Sequence, residues 1–306
     1  MPSSGGLRIG LPVVQASVLT LPRASDFFAL TKPRIVLLVL LTAAVGFYVA
    51  APSGVGMLLF VHTLVGTALV AAGSGALNQV AESDVDALMV RTAQRPLPAG
   101  RLTRPASAAF AATLGALGTG YLAAFVNPLT AGLAAATLGS YILLYTPLKR
   151  RTSLSTLVGA VPGALPILGG WTATGTGLSV AAWSLFGIMF LWQLPHFLAL
   201  AWLYRADYAR AGLRMLSVGD DDGRRTFSQA FLYAAALVPV SLVPTVVRLA
   251  GSLYFGGALA LGGWFAATAA VAVRRRTTPA ARRLFLVSIA YLPGLLGLLA
   301  LDKALH

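Results

Sequence analysis

The chain has 306 residues, 57% of them hydrophobic, only 10% charged and none cysteine, whereas a soluble domain carries about 25% charged residues. With a mean hydropathy of +0.79, it reads as an all-α integral membrane protein, and the lack of cysteine excludes disulfides and thiolate metal sites. Its formal net charge of +14 would suggest nucleic acid for a soluble protein; here it is the Lys and Arg excess of one membrane face, and no nucleic-acid partner is expected.

Residues 1–30 contain a weak apolar run broken by Pro12 and Gln15, with no clear cleavage site, and read as a mostly irregular cytoplasmic arm. One domain, 31–303, follows. Its apolar stretches approach the ~20 residues that a bilayer core demands. They are 34–52, 56–80, 106–126, 128–147, 154–173, 179–203, 227–247, 252–273 and 283–301. Helices satisfy their own backbone in lipid, so these nine stretches predict a bundle of nine transmembrane helices, the second and sixth projecting beyond the membrane. With the N-terminus in the cytoplasm and the C-terminus outside, every Lys and Arg except Arg248 and Lys303 falls on the cytoplasmic face. So does every acid except Asp302. A transporter needs access from both sides and often ionisable groups at mid-bilayer; these spans hold His62 and His196 but no interior carboxylate.

The second span runs into a polar stretch, 78–100. Asn78, Glu82 and Asp86 recur at i, i+4 and i+8, which on a helix turns ~40° per step and makes one polar strip about 12 Å long. Two carboxylates and an amide oxygen are hard ligands of the kind Mg²⁺ takes together with water and substrate phosphate. Arg91 and Arg95 are placed to hold the same phosphates. The residues alone leave a second reading open, a cluster that marks where a membrane helix meets water. Asp84 points away from the strip.

The fourth span ends Tyr145-Thr-Pro-Leu-Lys149-Arg150-Arg151, either a basic membrane anchor or a second hand on a diphosphate. The glycine- and proline-rich fifth span, 158–171, predicts a kinked helix packed tightly against a neighbour or a flat ligand, close packing being the simpler reading. In the sixth, His196 and Asp207 are eleven residues apart, close to three helical turns, so both face one way ~16 Å apart, with Asp207 level with Glu82 and Asp86. A histidine there is a hydrogen-bonded packing residue, a haem-iron ligand or a base. Pro195 would free a backbone carbonyl beside it. Asp220-Asp-Asp-Gly223 reads as a solvated turn.

Several motifs now stand together: Lys32-Pro33-Arg34, Asn78-x3-Glu82-x3-Asp86, Arg91-Thr-x-x-Arg95-Pro96-Leu-Pro98, Tyr145-Thr-Pro-Leu-Lys149-Arg150, Trp192-Gln193-x-Pro195-His196-Phe197 and Asp207-Tyr208-x-x-Ala-Gly212. Over about residues 28–300 the chain resembles the UbiA-type intramembrane prenyltransferases, the arginine-proline and Pro-His-Phe motifs being those of the branch that acts on haem. The resemblance implies nine helices around a central cavity open near the cytoplasmic side, in the cell inner membrane. It implies transfer of farnesyl from farnesyl diphosphate to a vinyl group of haem B, with water adding, and association with haem A synthase. It also implies that Asn78, Glu82 and Asp86 hold Mg²⁺, that Arg91, Arg95, Lys149 and Arg150 clamp the phosphates, and that Asp207 is the remaining acid of a second motif. Lys32, Arg34, Tyr145, Gln193, His196 and Tyr208 are the expected substrate contacts, His196 on the porphyrin side. Many members carry Asp-x3-Asp after the sixth helix; here Asp207 is followed at i+4 by Ala211, only one acid remains, and the number of metal ions is left open. An aromatic or chlorophyll-type acceptor is the alternative within the family. A transporter or non-catalytic haem-binding membrane protein is the alternative outside it.

Overall fold

The computed structural model describes residues 23–52 and 55–305. Its elements are α1 (Ala24–Leu30), α2 (Pro33–Ala50), α3 (Met57–Ala81), α4 (Ser83–Asp86), α5 (Arg104–Phe125) and α6 (Pro128–Gly139). A π-helical segment, Ser140–Tyr145, leads into α7 (Thr146–Leu148). Then come α8 (Ser155–Ala173), α9 (Val180–Leu203), α10 (Arg205–Arg210), α11 (Arg224–Val246), α12 (Ser252–Arg275) and α13 (Thr278–Ala304). Among the described residues nine spans are long and apolar enough to cross a membrane: α2, α3, α5, Pro128–Leu148, α8, α9, α11, α12 and α13. This is a multi-pass, all-helical membrane protein.

The starts of the helices are written locally. Pro33 and Pro128 sit in first turns, where a missing N–H costs nothing. Thr103, Asn127, Ser179 and Thr277 accept the amide hydrogens of Ala106, Thr130, Ala182 and Ala280 as N-caps. Three spans begin earlier than hydropathy suggested, at Arg104, Arg224 and Thr278. Hydropathy marks where lipid ends, and these helices continue into water with arginines in their first two turns.

Successive spans pack as neighbours, and α13 returns to touch α2. Because α8 also packs on α2 and α9 also packs on α13, α8 and α9 are the most enclosed. The fifth span is tight as expected. Gly170 of α8 meets the backbone of Ala43, Gly46 of α2 meets the backbone of Ile167, and Gly163 meets the Gln193 side chain. The outer surface carries Leu37, Leu58, Leu143 and Leu232, each more than 60% exposed. Such apolar exposure all round suits lipid, not water.

Two expectations change here. Residues 24–30 are not irregular: α1 is a helix whose Leu30 is fully buried with Ala76, Leu97, Leu102 and Ala111, and whose carbonyl end is held by Gln79. The rest of the predicted arm, 1–22, lies outside the described residues. Nor is 220–223 simply solvated. Asp220 is buried and accepts the amides of Arg225 and Thr226 at 3.2 and 2.7 Å, capping α11, while Asp222 pairs with Arg276 at 2.9 Å. Those backbone donors hold the Asp220 carboxyl below its usual range against the opposing pull of burial.

At the end of the bundle farthest from Glu82, Asp302 and Lys303 tie helices together. Asp302 accepts the amides of Gly251 and Tyr254 at the start of α12. Lys303 Nζ donates to the carbonyls of Tyr48, Val49 and Ala51 at the end of α2, at 2.6, 2.8 and 2.9 Å. Each charge has the sign that the helix end calls for.

Candidate active site

The α3 helix does not run straight through the acidic strip. It ends at Ala81; Glu82 leaves helical geometry at φ −105°, ψ 9°, and α4 restarts at Ser83. The i→i−4 bonds nonetheless continue, Glu82 N to Asn78 O at 3.0 Å and Asp86 N to Glu82 O at 2.7 Å. The three side chains therefore stay together. They are not a solvated strip: Asn78 is 2%, Glu82 8% and Asp86 1% exposed.

Each is held by a cation from elsewhere in the chain. Lys32 Nζ donates to Asn78 Oδ1 at 2.8 Å. Thr146 Oγ1 donates to the Tyr141 carbonyl at 2.9 Å and so accepts from Asn78 Nδ2 at 3.2 Å, which fixes the amide with its oxygen toward Lys32. Lys149 Nζ reaches both Glu82 oxygens at 2.8 and 3.1 Å. Arg95 reaches Asp86 Oδ2 at 2.6 Å. Burial pushes the Lys32 ammonium down to about 7, helped by the like charges of Arg95 and Lys149. For Lys149 burial also pulls down, but Tyr145 and the Glu82 carboxylate outweigh it and hold its proton above the ordinary range.

Local structure explains how these cations arrive. After α4, Thr92 Oγ1 binds the Asp86 carbonyl at 2.8 Å and folds the 87–95 turn back on the acid. Arg91 then lies over the rings of Tyr204 and Tyr208 at 4.6 and 5.9 Å, without a carboxylate within 4.0 Å among the described residues. Lys32 adopts left-handed backbone, φ 55° and ψ 59°, immediately before Pro33. The π-helical segment brings Tyr141 and Tyr145 within 5.1 Å of each other, and Lys149 lies 4.4 Å over the Tyr145 ring. Single π turns often mark functional sites. Gly212, at φ 68°, turns the chain so that Leu213 packs on Val85 and Met89, and Arg214 N binds the Lys149 carbonyl at 2.9 Å.

Together they enclose a pocket of about 200 Å³. Its lining combines the polar side chains Lys32, Asn78, Glu82, Asp86, Arg91, Arg95 and Lys149 with aromatic and apolar ones, among them Tyr141, Tyr145, Phe197, Leu200 and Tyr208. An anion with a hydrocarbon tail matches that mixed lining.

A model of the UbiA prenyltransferase family matches residues 39–292. The chain belongs to that family. It is 46% identical over 287 residues to a protoheme IX farnesyltransferase of Solibacter usitatus, an alignment that covers 91% of this chain and 98% of the relative. To the protoheme IX farnesyltransferase of Salinibacter ruber it is 47% identical over 277 residues, 90% of this chain and 98% of the relative. The fold resembles a solved digeranylgeranylglyceryl phosphate synthase at a TM-score of 0.78, with 15% identity, covering 92% of this chain and 99% of that one. A UbiA homologue from Archaeoglobus fulgidus bound to DMAPP and Mg²⁺ gives 0.63 at 16% identity, covering 90% and 99%.

Within this UbiA fold not all the expected residues meet. Arg150 donates to Asp84 at 2.7 Å on the exposed surface, where it holds that carboxyl below its usual range, and does not line the pocket. Arg34 is exposed on α2 outside the pocket lining. Gln193 is buried against α8 and donates to the Ala160 carbonyl at 2.8 Å. Asp207 pairs with Arg210 at 3.3 Å. The expected continuous helix from His196 to Asp207 is interrupted at Tyr204, φ −108° and ψ 20°, and neither residue lines the pocket. His196 faces α13 through Ser288. Sequence reasoning missed Thr146, Met89, Leu213 and Met215. The glycine at 212 was the one signal that the chain turns back there.

Arg150→Ala is therefore expected to change kcat/KM by less than about 5-fold, the scale of an exposed ion pair. Steady-state kinetics with a prenyl diphosphate check it.

The donor set suits Mg²⁺. Among the described residues no three His, Cys, Asp or Glu side chains gather. Mg²⁺ nevertheless commonly uses only one or two carboxylates and fills its octahedron with water and phosphate oxygens. Glu82 and Asp86, with Asn78 Oδ1, supply that number in one pocket wall.

Proposed function

We propose that this chain transfers the farnesyl group of farnesyl diphosphate to a vinyl group of haem B, adding water and releasing diphosphate. The observation that carries this reading is a pocket lined by cations, two acids and aromatic rings together, in a chain 46% identical to a protoheme IX farnesyltransferase.

Asn78, Glu82 and Asp86 hold Mg²⁺, which when bound supplies positive charge to the diphosphate. Lys32, Arg91, Arg95 and Lys149 bind the phosphate oxygens. Lys149 and Arg95 already rest on the acids, so they reach phosphate by a short swing from carboxylate to ester. As the allylic C–O bond breaks, its electron pair leaves with the diphosphate, and these donors stabilise the growing negative charge. The faces of Tyr141 and Tyr145 border the allylic cation that remains. Phe197 and Leu200 keep water from it until it meets the vinyl group. The vinyl π pair forms the new C–C bond, positive charge moves to the carbon next to the porphyrin ring, water adds there and one proton is lost. Tyr208 supports Arg91 from below.

In this reading the protein sits in the cell inner membrane with its N-terminus and pocket on the cytoplasmic side, the face that carries most of the Lys and Arg. The hydroxylated, farnesylated product stays in the bilayer and passes to a further haem-oxidising enzyme such as haem A synthase.

Reconstituted protein given farnesyl diphosphate and Mg²⁺ with either haem B or 4-hydroxybenzoate tests the reading. Mass spectrometry is expected to find farnesyl hydroxyethyl haem from the first mixture. A prenylated product from the second alone would overturn it in favour of an aromatic acceptor.

A further inference from the structure

Over much of the pocket end of the bundle, the chain answers its own cations. Arg95, Arg101, Lys149, Arg150 and Arg210 each lie within 4.0 Å of a carboxylate. One corner differs. Since α12 ends at Arg275 and α13 starts at Thr278, only Arg276 and Thr277 separate them, and Arg276 turns the chain with left-handed backbone at φ 49°. This tight connection holds Arg274 and Arg275 close to Arg282 and Arg283 in the first two turns of the next helix. The pair of Arg276 with Asp222 at 2.9 Å brings in the start of α11, with Arg224 and Arg225. All of these arginines are exposed. Asp222 is spent on Arg276, and among the described residues the side chains of Arg224, Arg225, Arg274, Arg275, Arg282 and Arg283 have no hydrogen-bond or carboxylate partner. The preference of membrane proteins for basic residues on one face explains their sign. It does not explain why unanswered charges crowd at this corner, where they repel one another.

Below the corner the two helices face lipid. On α13, Arg282, Leu286 and Ile289 recur at i, i+4 and i+7 and share one face, with Leu286 56% and Ile289 45% exposed. On α12, Trp264, Val271 and Arg275 are spaced seven and four residues apart, again close to whole turns, and all three are exposed. Four residues rise about 6 Å. Each helix therefore shows a guanidinium one turn above open apolar surface. A phosphate that carries acyl chains matches both parts, whereas a water-borne anion or an acidic peptide would use only the charged one.

We propose that this corner binds the headgroup of an anionic phospholipid, with its phosphate among Arg274, Arg275, Arg282 and Arg283 and its chains against Val271, Leu286 and Ile289. None of these residues lines the prenyl pocket, so the lipid is a resident of the bilayer and not a substrate.

Native mass spectrometry of the full chain in detergent, titrated with dioleoyl phosphatidylglycerol or dioleoyl phosphatidylcholine, tests the site. The two lipids share their chains and differ in headgroup charge. Wild type is expected to bind the glycerol lipid at least about 10-fold more tightly, the scale of two or more arginines at a membrane surface. Arg282→Gln with Arg283→Gln should weaken that lipid about 10-fold and leave the choline lipid unchanged, while Arg282→Lys with Arg283→Lys keeps most of the preference. Arg274→Gln with Arg275→Gln serves the same purpose where the first pair fails to fold. Arg151→Gln with Arg214→Gln removes the same charge from another exposed place at the pocket end and should cost less than about 3-fold. Equal binding of the two lipids overturns the proposal. An equal loss from both arginine pairs also overturns it, in favour of the general field of that face. Displacement of the glycerol lipid by millimolar inorganic pyrophosphate overturns it in favour of a water-borne anion.

Discussion

Glu82→Ala and Asp86→Ala are each expected to reduce farnesyl transfer by at least ~100-fold, the scale of removing a key electrostatic group from a reaction centre. The loss has two parts. The carboxylate that would hold a divalent ion disappears, and the cation resting on it, Lys149 at 2.8 Å or Arg95 at 2.6 Å, loses the partner that orients it. Binding of Mn²⁺ in the presence of diphosphate, followed by electron paramagnetic resonance, should fall in step with diphosphate release from membranes. Asp84→Ala provides the contrast, because Asp84 is paired with Arg150 outside the pocket. Activity of Glu82→Ala within 10-fold of wild type would remove these acids from the chemistry.

The second large effect concerns folding. Gly170→Ala is expected to destabilise the protein by about 3 kcal/mol, the upper part of the usual range for overpacking. A Cβ on Gly170 runs into the carbonyl of Ala43, and one on Gly46 runs into the carbonyl of Ile167, so α2 and α8 approach backbone to backbone at two points. Neither obstacle is the flexible end of a side chain, and the helices must part. Gly169→Ala, one residue away on the same helix, has nothing within 4 Å of its new methyl. It should be neutral or gain up to about 1 kcal/mol from helix propensity. Thermal unfolding in detergent compares the two, and equal midpoints would contradict close packing as the reason for these glycines. Because α2 starts just after Lys32, parting of α2 from α8 also shifts the Lys32 contact with Asn78.

The nine spans were legible because lipid imposes a length and a composition on each. The acids at 78, 82 and 86 were legible because their spacing survives even a break in the helix: the bond from Asp86 N to Glu82 O is kept while Glu82 itself leaves helical geometry. The helix between His196 and Asp207 breaks in the same way, at Tyr204, with Tyr208 N still bonded to Tyr204 O at 3.1 Å. Arg150 and Lys149 are adjacent in sequence and similar in charge, and only tertiary packing sends one to Asp84 and the other to Glu82. The role of Asp220 was within reach, since an acid just ahead of a helix start is a capping signal. Three consecutive aspartates and a glycine masked it as a loop. Nothing in the sequence announced the π-helical segment that turns Tyr141 and Tyr145 to the same pocket.

The clasp formed by Asp302 and Lys303 has a bearing on traffic. Both ions are occupied with backbone groups of neighbouring helices, which leaves Arg248, among the described residues, as the charge facing water at that end. A pyrophosphate ester nearing that side meets almost no attracting field, whereas the opposite mouth is crowded with guanidinium and ammonium groups. Entry and exit of the mineral ion thus use a single door. The liberated pyrophosphate then returns to the compartment that supplied the ester.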